Sequence, residues 1–174
     1  MSCGLKVAMA ATAILAATAP LARADDCAAV YAAMEASIRT PVAVTMTRTT
    51  RGGPAVVHHM VRTEDATYVE LHGKWRSMKI STQERLRSLD EVKKTAKVQC
   101  QRVGTDSVGA QSATVYTSHV ENQGTVSDQK LWVSANNLLL KAELDIAGEH
   151  EHMVSMYDYK NVKVPADATP VDHR

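Results

Sequence analysis

Three observations in the 174-residue chain predict an α+β fold, a curved antiparallel sheet of eight or nine strands that forms an incomplete β-barrel covered by two helices. Apolar and polar residues alternate at period two in segment after segment between residues 42 and 164, whereas only two segments carry the three-to-four spacing of an amphipathic helix. The connections between strand segments are too short for helical crossovers, so neighbours should pair antiparallel. The alternation leaves one sheet face strongly apolar and the other wet, and an apolar face needs a cover.

The chain opens with Lys6, an apolar run through Val7, Ala8, Met9, Ile14 and Leu15, and then Ala22-Arg23-Ala24 before Asp25. This is the pattern of a signal peptide over residues 1–24, with an apolar part shorter than the ~20 residues of a membrane span. It predicts a periplasmic or secreted protein with no stable membrane span, one domain over residues 25–168 and a flexible tail at 169–174. Cys3 precedes the apolar run and Cys27 follows Asp25-Asp26, so neither sits where an acylated lipoprotein cysteine would. After cleavage only Cys27 and Cys100 remain, which in an oxidising compartment predicts one disulfide. Their wide separation lacks the C-x-x-C spacing of a redox pair. The leader also removes Lys6 and Arg23, so 20 basic residues against 19 acidic become 18 against 19. A chain this close to neutrality lacks the positive field that holds nucleic-acid phosphates.

Along residues 28–39, Val30, Met34 and Ile38 recur every four residues, a helix with one apolar stripe that stops near Thr40-Pro41. Val42, Val44 and Met46 then alternate with Ala43, Thr45 and Thr47 as a first strand, and Arg51-Gly52-Gly53-Pro54 supplies the turn. Strands at 55–63, 67–71 and 74–79 follow, the last two joined by a tight His72-Gly73 reversal. Ser81 and Glu84 have capping-box spacing behind Ile80, and Leu86, Leu89 and Val92 mark the apolar face of the second helix. Strands return at 97–103, 113–120, 126–134, 138–147 and 152–164, with Asn136-Asn137 at one turn. The clearest alternation puts Leu138, Leu140, Ala142, Leu144 and Ile146 on one side and Leu139, Lys141, Glu143 and Asp145 on the other.

Several short segments carry a family likeness: Thr67-Tyr68-Val69, Gly73-Lys74-Trp75, Leu131-Trp132-Val133-Ser134, Leu138-Leu139-Leu140-Lys141 and Tyr157-Asp158-Tyr159-Lys160-Asn161 with Pro165. They resemble landmarks of the LolA-like, outer-membrane lipoprotein carrier superfamily. The resemblance implies a half-barrel whose hollow holds acyl chains, and so a periplasmic carrier or binding protein for a lipid or other apolar ligand.

On that expectation the ligand wall comprises Val42, Val44, Met46, Leu138, Leu140, Leu144 and Ile146, with Met34, Leu86 and Leu89 from the helices. The same periodicity also describes a filled core in which Met60, Met78, Met153 and Met156 take up the gaps of a chain without Phe. The alternative is therefore a structural or protein-interaction module without a small-molecule ligand. His58 and His59 face opposite sides of a strand, and His150 with His152 matches no defined metal motif, so neither metal nor cofactor is expected. No serine sits in a nucleophile elbow and no glycine loop cradles phosphate, so an enzyme is not expected.

Overall fold

The computed structural model describes residues 24–148 and 150–171; the rest of the expected leader lies outside them. Helix α1 (Ala24–Arg39) is followed by β1 (Val42–Thr50), β2 (Val56–Arg62), β3 (Thr67–Leu71) and β4 (Lys74–Met78). Helix α2 (Thr82–Thr95) leads to β5 (Lys97–Val108), β6 (Gln111–Asn122), β7 (Thr125–Ser134), β8 (Leu139–Ile146), β9 (Glu151–Asp158) and β10 (Thr169–Pro170). The ten strands form one open, curved sheet in the order β10-β4-β3-β2-β1-β9-β8-β7-β6-β5. It does not close into a barrel. Strands joined by short turns pair antiparallel, as expected, in two meanders, which are united by the antiparallel pairing of β1 with β9.

The capping box is formed: the Ser81 side chain accepts the Glu84 backbone N–H, and the Glu84 carboxylate accepts the Ser81 backbone N–H at 2.7 Å. At the reversal between β3 and β4, His72 (φ 52°) and Gly73 (φ 74°) both take the left-handed conformation a two-residue hairpin turn requires.

Three boundaries differ from expectation, each for a local reason. Strand β9 stops at Asp158 rather than running to 164, because the Asp158 carboxylate accepts the backbone N–H groups of Lys160 and Asn161 at 2.8 and 3.1 Å. A side-chain acceptor there replaces the next ladder partner. Residues 169–170, expected as the start of a tail, form the tenth strand and run parallel to β4, making the sheet mixed rather than purely antiparallel. Arg76 Nη1 donates to Thr169 Oγ1 at 2.7 Å there. Strands β5 and β6 are longer than expected because a bulge at Gly104 (φ 148°) bends β5 without ending its pairing. The extended hairpin brings Asp106 to the edge of Trp132, whose Nε1–H donates to Asp106 Oδ2 at 3.0 Å.

Two buried clusters lie on opposite faces of the sheet. Under α1, Val30 and Ala33 pack with Cys100, Leu131, Val133 and Leu139. On the other face Trp132 packs with Ala113, Val115 and Leu140. The Cys27–Cys100 disulfide joins α1 to β5 across a sequence separation of 73. Asp26 accepts the Arg102 backbone N–H at 3.0 Å, and buried Ser37 accepts the Leu139 backbone N–H at 2.9 Å, so α1 is fastened at both ends. Helix α2 is tied to α1 by a Lys93–Glu35 ion pair, with the Lys93 ammonium 5.2 Å from the Tyr31 ring centre.

Candidate apolar ligand site

Strand register defines the face turned toward the helices. Tyr157 packs against the cluster beneath α1 and pairs with Val44, which pairs with Met60 and through it with Val69. One row along, Val42, Arg62, Thr67 and Met78 stand side by side; in the other direction come Ala142, Ser155, Met46 and His58, then Leu144 with Met153. Directly opposed residues point to one face. Val42, Val44, Met46, Leu144 and Ile146 of the expected wall therefore share a side. Three further methionines, Met60, Met78 and Met153, stand with them.

Cover over this face is uneven. Helix α1 packs on β5, β6, β7 and β8. Val42 and Val44 are 0% and 3% exposed, whereas Met46, Met60, Met78, Leu144, Ile146 and Met153 are only half-buried. Leu86 and Leu89 of α2 are buried.

The expected alternation fails at residues 138–140. Leu138 precedes the strand; its N–H bonds to Ser134 Oγ, and its carbonyl accepts the Ser134 N–H. A bulge opposite Trp132 and Val133 then lets Leu139 enter the cluster under α1 while Leu140 joins Trp132 on the far face. Leu140 is thus absent from the helix-facing wall and Leu139 belongs to it, because one extra residue reverses the order of sides.

The same face carries a feature that side-chain periodicity did not single out. The Arg62 Nε–H is buried without a partner, and the guanidinium makes no hydrogen bond or ion pair with any described residue. Arg85 of α2, close enough to feel that charge, gives its Nη hydrogens to the carbonyls of Thr63, Glu64 and Ile80 and to the hydroxyls of Thr67 and Thr82. Burial pushes the Tyr157 and Tyr159 hydroxyls above the usual tyrosine range, and the Arg62 charge offsets part of that rise in both.

The opposite face, apolar around Trp132, carries polar side chains beside it. A groove of about 460 Å³ is lined by Gln99, Gln101, Thr117, His119, Lys130, Glu143, Asp128 and Asp145, among others. His119 Nδ1 lies 2.7 Å from Asp128 Oδ1 and His152 Nδ1 2.7 Å from Asp145 Oδ1. His150 turns away to Arg51, 3.4 Å from its Nη1, so it and His152 have separate partners. His58 and His59 fall on opposite faces, paired with Met46 and Thr45. Among the described residues no three His, Cys, Asp or Glu side chains are arranged to hold a metal ion, and no helix is long and apolar enough to cross a membrane.

No protein-family model and no curated protein sequence matches the chain. Solved structures do. MucB is similar at 12% identity and a TM-score of 0.50 over 84% of this chain and 65% of its own, so the chain spans just under two thirds of MucB. The lipoprotein LppX of Mycobacterium tuberculosis is similar at 14% identity, with a TM-score of 0.48 over 79% of this chain and 99% of LppX. A LolA-superfamily protein of Nitrosomonas europaea shares 11% identity over 80% of this chain and 94% of its own, at a TM-score of 0.34. With its open, curved sheet and its two helices, this chain shares the fold of MucB.

Proposed function

We propose that the protein is a non-catalytic carrier or binding protein of the cell envelope, exported by its leader, that holds a lipid or other apolar ligand between sheet and helices. The observation that carries this reading is the methionine-rich face beside α1, half-buried where the neighbouring Val42 and Val44 are fully covered. Val42, Val44, Met46, Leu144 and Ile146 form the proposed wall, joined by Met60, Met78 and Met153 and lidded by Leu86 and Leu89. Methionine fits its flexible, polarisable side chain to chains of varied shape. Removing apolar surface from water at about 25 cal/mol per Å² supplies the affinity without a directional contact.

Protein purified from its native compartment should release lipid on solvent extraction, detected by mass spectrometry. It should also take up a solvatochromic acyl probe that the extracted lipid displaces. A clean extract together with no probe uptake would overturn the reading in favour of an interaction module. The outer face carries the observation for that rival: Val57 and Met156, 53% and 41% exposed, flank β1 on adjacent strands. MucB, of like fold, is known in complex with MucA.

A further inference from the structure

The helix-facing side described above contains a positive charge that no described residue answers. Arg62 stands in the row of Val42, Thr67 and Met78, beside the row of Val44, Met60 and Val69. Its buried Nε–H is unsatisfied, and so is that of Arg85, the other guanidinium within its electrostatic reach. Arg85 spends its remaining donors on backbone carbonyls and hydroxyls, and Arg62 spends none on the described residues. Burying a guanidinium N–H without an acceptor is costly, and retaining one so placed implies a use. Its planar fork of donors matches a carboxylate or phosphate bidentately. The residue is only partly buried, so a head group lying in the hollow can reach it.

The apolar path leading away from this charge has a measurable length. From the Arg62 row the helix-facing side passes Met60, then Met46, then Met153, which lies opposite Arg48. Those three two-residue steps along extended strands cover about 20 Å. The acyl chains of one bilayer leaflet span about 15 Å, half of a ~30 Å core. At the far end the Arg48–Glu151 ion pair, 4.0 Å apart, returns the face to polar chemistry. Resting on the carrier reading, we infer that Arg62 anchors the head group of an anionic amphiphile, a long-chain carboxylate or phosphate whose tail lies along Met60, Met46 and Met153.

Binding of palmitate against methyl palmitate, and of lysophosphatidic acid against monoacylglycerol, tests this on delipidated mature protein and on its Arg62→Met and Arg62→Lys variants. The wild type should prefer at least one anion over its neutral counterpart by about tenfold, the scale of one charge-assisted contact. Whichever pair shows the larger preference identifies carboxylate or phosphate. Arg62→Met should lose the preference while keeping its affinity for the neutral ligand, and Arg62→Lys should keep part of it. A preference that survives in Arg62→Met, or none in the wild type, overturns the head-group assignment and leaves the carrier standing. Acetate or inorganic phosphate binding as tightly as the amphiphiles also overturns it, marking a small-anion site. If none of the four amphiphiles binds, the carrier reading falls first and takes this inference with it.

Discussion

Asp128 and Asp145 face each other directly across β7 and β8, an arrangement that costs free energy unless cations answer it. His119 and His152 flank the pair, each with an imidazole nitrogen 2.7 Å from its carboxylate. The His119 pKa is raised, first by the hydrogen bond to Asp128 and further by that carboxylate's charge and by Glu121. A raised histidine stabilises the fold below its unfolded pKa and loses that contribution as the pH rises through the folded one. Thermal melts should therefore show wild type above His119→Gln below about pH 6.5, with the gap closing as the pH rises through the raised folded value. A gap that is constant across that range would show that the imidazolium does not act in this way. Single residues were legible in the sequence only where period two held. The register confirms that Met60 and Arg62 share a side, as alternation requires, but which long side chain lacks a partner depends on Thr67, Tyr157 and Arg85, brought from three other elements.

Elements were legible where a local signal starts or stops them. Ser81 and Glu84 located the start of α2, and His72-Gly73 located a hairpin, because caps and left-handed turns depend on a few neighbouring residues. The bulges opposite Trp132 and at Gly104, and the early end of β9, were not legible, since each answers a partner strand or a side-chain acceptor. Helix α1 shows an element held by distant chemistry, its bond from Cys27 to Cys100 closing a long loop. On the chain-entropy account such a cross-link disfavours the unfolded state by about 4 kcal/mol. Denaturant unfolding of Cys27→Ala/Cys100→Ala should show a loss of that order relative to the oxidised wild type. Reduced wild type should fall with the variant, and equal stability of all three would contradict the assignment of the bond as a staple.

At the scale of the molecule, binary patterning was enough for the fold class, because an apolar sheet face and two amphipathic helices have few ways to cover one another. It could not supply the strand order. The contact of β1 with β9 joins Thr50 to Glu151, and no local feature of either strand announces the other. Strands β2 to β4 and β5 to β8 are each meanders of sequence neighbours, and the described residues connect them in one sheet through β1 and β9. During synthesis, then, both meanders can emerge before the strand that unites them has been made, and the slow step of folding should be the capture of β1 by a partner a hundred residues away. A chain ended before Glu151 should keep strand-like circular dichroism yet lose its cooperative melt, and a sharp melt in that truncation would contradict this order of events. Strand β9 is in this sense a keystone: a chain that emerges from its first residue onward remains an unjoined pair of half-sheets until nearly all of it is out.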